Sequence, residues 1–253
     1  MGIQKAFVEP MEQIIDTLVA RLRPLNFGPP VQTVYNPLIY ARSAHLAYWQ
    51  HYGRPPKEIL LVGMNPGPWG MVQTGIPFGD VGMVSEWLRL PEPVVPPSTQ
   101  HPKRPVLGLA CARREVSGQR LWGWAQQRFG TPQRFFSRFG VANYCPLAFI
   151  EASGRNLTPD KLPARKKEVL FEACDQALAA TVEWLRPKIV VGVGAFAAQQ
   201  ARRVLAQSGV RVGQITHPSP ANPKANAGWG PLVEKELSDL GIVIATASGK
   251  QEA

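Results

Sequence analysis

The hydrophobic positions of the chain follow two different spacings. Residues 11–23 and 37–51 carry apolar residues three and four positions apart, which predicts amphipathic helices. Residues 59–63 instead form a short, continuous apolar run that ends in glycine, as is typical of a strand buried on both faces of a parallel sheet. The chain is therefore predicted to open with two helices before its first strand.

Strands and helices alternate in the rest of the chain. A proline-dense segment, residues 91–105, is predicted to be an extended surface connection, because proline disrupts helices and central strands. The patterns predict helices near 119–129, 163–186, 195–207 and 229–240, with strands at 141–144, 188–192, 212–216 and 242–244. This alternation indicates an α/β fold, a three-layer α/β/α sandwich around a mostly parallel sheet of about four strands.

The length of the chain is compatible with one domain. The 253 residues, 45% of them hydrophobic, can bury one substantial core. We expect a single domain over 1–253, with the helices of residues 1–55 packed on it and a disordered tail at 246–253.

Composition narrows the classes of function. A net charge of +10 and a sequence pI near 9.9 favour a nucleic-acid partner, although an inert basic surface remains an alternative. Cys111, Cys145 and Cys174 are too far apart for a disulfide framework or a metal cluster. No apolar run approaches the ~20 residues of a membrane span. We therefore expect a protein that is not secreted, cytoplasmic in a prokaryote or nuclear in a eukaryote.

Three loops rich in Asn, Pro, His or Gly follow predicted strands. They begin after Gly63, at residues 143–146 and after Thr216. In open parallel sheets the ligand-binding loops gather at the carboxyl ends of the strands. The three loops are therefore predicted to meet in one cleft.

These loops carry a resemblance to a known family. The run GMNPGPWGM at 63–71, continued by QTGIPFG at 73–79, resembles the first signature of the single-strand-selective monofunctional uracil-DNA glycosylases. The run HPSP at 217–220, continued to Trp229, resembles their second signature, and NYCPL at 143–147 resembles the strand end that reads the base. The likeness extends over roughly residues 35–240.

The resemblance implies a role for each of four side chains. Asn65 positions the water that attacks C1′, and His217 donates a hydrogen bond to uracil O2 as the base leaves with negative charge. Asn143 reads O4 and N3–H of the base, and Phe78 stacks on its face. The remaining substrate-binding positions that the resemblance implies are Gly63, Met64, Gly67 and Met71.

Two positions modify this expectation. Gly67 lacks the bulky aromatic side chain of the most uracil-restricted glycosylases, so 5-substituted uracils such as 5-hydroxymethyluracil are expected to be accepted. Ala221 stands where familiar animal members carry arginine, which predicts weaker base flipping and a preference for single-stranded or mismatched DNA. The expected DNA-binding loop comprises Pro218, Ser219, Pro220, Ala221, Asn222, Pro223 and Lys224.

Two alternatives compete with a glycosylase. The run GVGAFA at 192–197 fits a dinucleotide-binding turn, but no Asp or Glu ends the next strand. A damaged-DNA-binding protein that has lost catalysis would share the basic charge, and only an excision assay separates it from the enzyme. No cofactor or metal is required, and a monomer is expected. No lysine falls within the matched catalytic positions, so a Schiff-base lyase step is not indicated.

Overall fold

Four parallel strands form the central sheet of the protein. The computed structural model describes residues 2–244, so the predicted tail at 246–253 lies outside it. The strands are β2 (Ile59–Gly63), β3 (Phe139–Asn143), β6 (Ile189–Val193) and β7 (Arg211–Ile215), in the order β3-β2-β6-β7. All five residues of β2 are buried, as expected for a strand with a neighbour on each side and helices above and below.

Helices cover both faces of this sheet. The chain moves in one direction from β2 to β3 and in the other from β3 to β6 and β7, so right-handed crossovers place the connecting helices on opposite faces. The longer helices are α1 (Gly2–Leu22), α3 (Arg42–Tyr52), α5 (Val116–Phe129), α7 (Ala164–Leu185), α8 (Ala195–Val204) and α10 (Trp229–Asp239). The shorter ones are α2 (Pro37–Tyr40), α4 (Met71–Thr74), α6 (Pro132–Phe136) and α9 (Pro223–Asn226). The predicted α/β/α sandwich with a four-stranded parallel sheet is confirmed.

A second, antiparallel sheet was not predicted. It consists of β1 (Val31–Tyr35), β4 (Ala148–Glu151) and β5 (Asn156–Leu157), in the order β1-β4-β5. The prediction of two helices before any strand is therefore wrong, because β1 lies between α1 and α2. These strands are short and their partners are distant in the sequence, so hydrophobic spacing gives them a weak signal.

The predicted strand at 242–244 is also wrong. The backbone N–H of Ile242 donates to Leu237 O at 2.9 Å and thereby caps the end of α10. Arg138 Nη1 donates to the carbonyl of Val243 at 2.9 Å. The N–H of Ile242 and the carbonyl of Val243 are therefore already hydrogen-bonded, and residues 242–244 join neither sheet.

The proline-dense segment is anchored to the smaller sheet. Tyr35 Oη donates to Arg104 O at 2.6 Å and accepts from the N–H of His101 at 2.7 Å. The segment contains neither helix nor strand beyond one bridge between His101 and Arg104, as predicted, but His101 is buried. Within residues 2–244, none of the helices combines the length and apolar character that a membrane crossing requires.

Candidate active site

The three predicted loops do meet. They line one cavity of about 350 Å³ at the carboxyl ends of β2, β3 and β7. Backbone hydrogen bonds join the first two loops, from Tyr144 N to Gly63 O and from Cys145 N to Met64 O, both at 2.9 Å. The lining residues are Met64, Asn65, Gly67, Pro68, Met71, Phe78, Glu115, Ser117, Asn143, Asn156, Thr158, His217 and Ser219.

Asn65 has a fixed orientation in this cavity. Its Nδ2 donates to Leu147 O at 3.1 Å, in the loop after β3. A side-chain amide has one acceptor oxygen and one donor nitrogen, so this bond determines which end remains available. Oδ1 has no hydrogen-bond partner in the described part of the chain and can accept a hydrogen bond from a water molecule.

His217 is neutral and its tautomer is determined by its neighbour. The backbone N–H of Ser219 donates to His217 Nδ1 at 3.0 Å, so the ring hydrogen resides on Nε2. Burial lowers the pKa of His217 to about 4, which keeps the imidazole uncharged at neutral pH. His217 therefore offers the cavity a neutral N–H donor from Nε2.

Gly63 has no side chain, and Asn143 and Phe78 both pack into the space that this leaves. A Cβ atom at Gly63 would lie 2.4 Å from Asn143 Oδ1 and 2.7 Å from the ring of Phe78. Asn143 Nδ2 donates to Met71 Sδ at 3.2 Å, so Met71 contacts the amide that is predicted to read the base. The glycine at the end of β2 thus makes room for two predicted base-binding side chains.

Phe78 is held in an uncommon backbone conformation. Its φ of +55° lies in the left-handed region that favours glycine. Trp122 Nε1 donates to its carbonyl at 3.0 Å, and its ring lies 6.1 Å from that of His217. Such strain costs on the order of 1–3 kcal/mol and is concentrated at functional sites, where the surroundings enforce it.

The loop predicted to bind DNA is held by Arg120. Arg120 donates to Pro218 O at 3.0 Å and to Asn226 Oδ1 at 2.9 Å, and Asn226 Nδ2 donates to Pro220 O at 2.9 Å. Asn222 caps α9, which Pro223 opens. Pro218 is buried, whereas Pro220, Ala221, Pro223 and Lys224 are exposed on the surface of this loop.

Basic side chains on the surface differ in their partners. Arg128 pairs with Glu234, and Arg138 Nε lies 2.6 Å from Glu58 Oε2. Arg113 is different, because its guanidinium lies 5.4 Å from the centre of the Trp69 ring, beside the first loop of the cavity. The Arg104 guanidinium lies over the same ring, 4.9 Å from its centre, so two basic side chains flank Trp69.

The glycines of the dinucleotide-like run have a packing role. A Cβ at Gly192 would lie 2.2 Å from Ala198 N, and one at Gly194 would lie 3.2 Å from His217 Cβ. These glycines permit a tight turn from β6 into α8 and a close approach to His217. The cavity lies elsewhere, among the loops after β2, β3 and β7.

Four lining residues outside the quoted motifs were missed by the sequence reasoning: Glu115, Ser117, Asn156 and Thr158. Asn156, on β5, donates from Nδ2 to Pro66 O at 3.4 Å, which links the small sheet to the first loop. Glu115 and Ser117 lie at the start of α5. No spacing signal marks these residues, because only the packing of α5 and β5 brings them to the cavity.

Comparison with known proteins first gives the class. Residues 50–235 match the family model described as the uracil DNA glycosylase superfamily. A solved structure described as wild-type SMUG2 from Pedobacter heparinus aligns with a TM-score of 0.65 over 90% of this chain and 97% of that chain. At 19% identity this likeness shows the shared fold alone.

Relatives then give the particular family. A Mus musculus protein named "Single-strand selective monofunctional uracil DNA glycosylase" is 49% identical over 228 residues, 89% of this chain and 82% of that protein. A Bos taurus protein of the same name is 48% identical over 224 residues, 88% of this chain and 82% of that protein. The chain belongs to the family of single-strand selective monofunctional uracil-DNA glycosylases.

Proposed function

We propose that this protein hydrolyses the bond between deoxyribose C1′ and uracil N1 in DNA and leaves an abasic site, which initiates base excision repair. One observation supports this best: Asn65 Oδ1 and the Nε2–H of His217 are both available in a single cavity. These groups meet the two needs of the reaction, a positioned water and a donor for the leaving base.

In this proposal Asn143 selects the base. Its amide can donate to uracil O4 and accept from N3–H, whereas cytosine presents a donor at position 4 and has no hydrogen on N3. Turning toward a base would require Asn143 Nδ2 to leave Met71 Sδ, a weak acceptor. A site built to pair with one pattern rejects another because buried polar groups are left unpaired.

Bond cleavage separates charge. Uracil leaves as a delocalised anion and the sugar develops oxocarbenium character, so a donor to O2 stabilises the transition state more than the ground state. Asn65 carries no charge to stabilise the cation, and its contribution is to place the water on C1′. No lysine occurs among the described residues that line the cavity, which supports a hydrolytic rather than a Schiff-base mechanism.

The decisive experiment is an excision assay. An oligonucleotide with one uracil is incubated with the protein and then treated with hot alkali, which breaks the strand at an abasic site. We expect cleavage at uracil and none in the matched thymine oligonucleotide, together with no borohydride trapping of protein on DNA. If wild-type protein binds uracil-containing DNA but never releases the base, a damaged-DNA-binding protein without catalysis replaces the proposal.

The substrate range is proposed to include 5-substituted uracils, because Gly67 has no side chain on the loop that we place beside C5. The space next to Gly67 is nevertheless occupied: its Cβ position lies 2.4 Å from Glu115 Oε2. We expect Gly67→Tyr to lower excision of 5-hydroxymethyluracil by about tenfold relative to uracil, because the tyrosine ring must displace the Glu115 carboxyl group and the two side chains leave less room beside C5. Single-turnover rates on paired oligonucleotides measure this ratio, and an unchanged ratio contradicts the steric argument.

Strand preference is proposed to depend on Ala221. Extruding a base from a duplex costs a few kcal/mol, and a small, exposed Ala221 can neither fill the vacated space nor contact a phosphate. We expect Ala221→Arg to raise the rate on U:A duplex by roughly 3- to 10-fold relative to single-stranded DNA. Ala179→Arg, at an exposed position of α7, adds the same charge elsewhere and should leave that ratio unchanged. Equal rates of the wild type on single-stranded, U:G and U:A substrates would remove the premise.

A further inference from the structure

Two arginine side chains pack on the ring of Trp69, beside the active-site cavity. The guanidinium carbon of Arg104 lies 4.9 Å from the ring centre and that of Arg113 lies 5.4 Å from it. Trp69 directly follows Pro68, and Arg113 is two residues before Glu115; Pro68 and Glu115 both line the cavity. Trp69 and Arg104 are half-buried and Arg113 is exposed. We call this basic surface, Trp69 with Arg104 and Arg113, the Trp69 platform.

The buried side chain of Gln73 joins two segments of the platform. Its Nε2 donates to Pro68 O at 2.9 Å and to Pro105 O at 3.0 Å. The residue before Trp69 is thereby tied to the residue after Arg104. A segment from the proline-dense connection is thus fixed against the first loop of the cavity.

The segment of Arg113 is fixed to the same loop. The backbone N–H of Trp69 donates to the carboxyl group of Glu115. The backbone N–H of Glu115 in turn donates at 2.9 Å to Oδ2 of Asp80, whose side chain is fully buried. The backbone on each side of the platform is therefore held before any ligand binds, which lowers the entropic cost of binding.

The two guanidinium groups of the platform have unused donors. Within residues 2–244, Arg113 forms neither an ion pair nor a side-chain hydrogen bond, whereas its neighbour Arg114 lies 3.5 Å from Asp80 Oδ2. Arg104 donates from Nη1 to Lys103 O at 3.1 Å, but its buried Nε has no hydrogen-bond partner among the described residues. Neither Arg104 nor Arg113 is neutralised by a carboxylate of that part of the chain.

The contact with Trp69 leaves the donors of both arginines accessible. A guanidinium that packs on an aromatic ring uses its face, whereas its N–H groups point outward in its plane. Those edges match the paired oxygens of a phosphate, which arginine binds with two parallel hydrogen bonds. Both guanidinium carbons lie within 5.4 Å of one ring centre, so they are close enough to contact adjacent phosphates of one strand.

We infer that the Trp69 platform binds the sugar-phosphate backbone of the DNA strand that enters the cavity, with Arg104 and Arg113 each contacting a phosphate beside the bound nucleotide. The inference rests on the proposed function only in that a nucleotide of DNA enters the cavity, whichever way its base is turned. The phosphates on either side of that nucleotide are covalently attached to it, so they must lie at the mouth of the cavity. The platform is a fixed cationic surface at that place.

Binding is tested with a single-stranded oligonucleotide that carries one 2′-fluoro-2′-deoxyuridine. The fluorine disfavours a cation at C1′, so the base remains attached while fluorescence anisotropy gives the affinity at several salt concentrations. We expect Arg113→Gln and Arg104→Gln each to weaken binding roughly 5- to 20-fold. Each should also reduce the slope of log affinity against log salt by about 0.7, the value for one phosphate contact in a single strand.

Two further variants make the binding measurement specific. Arg113→Lys keeps the charge without the paired donors, so most of the salt slope should remain although affinity falls. Arg186→Gln removes an exposed arginine that shortly precedes β6, at the edge of the sheet opposite the cavity, and should change neither affinity nor slope. If Arg186→Gln changes the slope as much as Arg113→Gln does, net charge rather than the platform explains the loss, and the inference is overturned.

The contacted phosphates are located with neutral methylphosphonates, placed one at a time on both sides of the fluorinated nucleotide. At one or two adjacent positions we expect the replacement to weaken binding by the wild type but not by the arginine variant that has lost the same contact. Such non-additivity is the signature of a direct contact. If every replacement weakens the wild type, Arg104→Gln and Arg113→Gln by the same factor, the inference is overturned.

Excision of uracil distinguishes this proposal from the proposed function. We expect Arg113→Gln to raise the protein concentration that gives half the maximal single-turnover rate and to leave the maximal rate unchanged, because the platform holds the backbone and not the reacting atoms. A lower maximal rate with unchanged half-saturation would show that Arg113 only shapes the first loop, and the inference falls. If the wild type binds this DNA but releases no uracil, the proposed function falls and the phosphate coupling still decides the inference.

Discussion

Replacing Asn65 by alanine is expected to lower the single-turnover rate of uracil excision by roughly 10²–10³-fold with little change in DNA affinity. The reason is positional: Oδ1 is the available acceptor of an amide whose Nδ2 is bonded to Leu147 O at 3.1 Å. Loss of a correctly placed nucleophile reaches this scale, because even a displacement of about 1 Å can cost 10²-fold.

Two further variants make this test specific. Asn26→Ala removes an exposed side chain that only accepts from Gly28 N, and should excise uracil at the wild-type rate. Asn65→Asp keeps an acceptor for water but places a carboxylate oxygen against the carbonyl of Leu147, so we expect activity between those of wild type and Asn65→Ala. A wild-type rate for Asn65→Ala on all uracil substrates would show that another group positions the water.

His217→Leu is the second substitution with a large expected effect. Leucine roughly preserves volume but removes the Nε2–H, and loss of one donor to a developing oxyanion typically costs about 10²–10³ in rate. The hydrogen is on Nε2 because Ser219 N–H bonds to Nδ1, and the ring is neutral at pH 7 because burial lowers the pKa of His217 to about 4. Single-turnover excision on uracil DNA measures the effect, separately from binding.

The leaving group provides an internal check on His217. A base that leaves as a more stable anion needs less help from the donor, so 5-fluorouracil should lose less rate than uracil in His217→Leu. His51→Leu, at an exposed position whose Nδ1 contacts Ala47 O, is the matched control. An equal loss on both bases would point to disruption of the loop rather than to loss of charge stabilisation.

The central sheet could be predicted because its strands leave a strong local signal. β2 and β6 are buried along their whole lengths and therefore appear as continuous apolar runs. The run at 242–244 looks similar, yet Ile242 N–H bonds to Leu237 O and no strand forms. The small antiparallel sheet was missed for the opposite reason: Val31 pairs with Glu151, and neither sequence segment indicates its partner.

The candidate site likewise contains residues that the sequence predicted and contacts that it did not. Asn65, Phe78, Asn143 and His217 lie at or near the ends of predicted strands, and the structure brings them to one cavity; their individual roles stay predictions. Arg120, on α5, donates to Pro218 O and Asn226 Oδ1. No sequence pattern indicates that a helix on one face of the sheet holds the loop after β7.

The sequence by itself determined the α/β/α architecture, the three loops that meet and the family to which the chain belongs, because these depend on local runs and on contiguous motifs. Only the tertiary structure decided which ring nitrogen of His217 carries the hydrogen and which side-chain atom of Asn65 remains available to a water molecule. It also decided which group fills the space at Gly67. Each depends on a partner from a different segment or on a local fold: Ser219 N–H, Leu147 O and the carboxyl group of Glu115. Gly67 alone suggests an empty pocket, whereas the folded chain places an acid there.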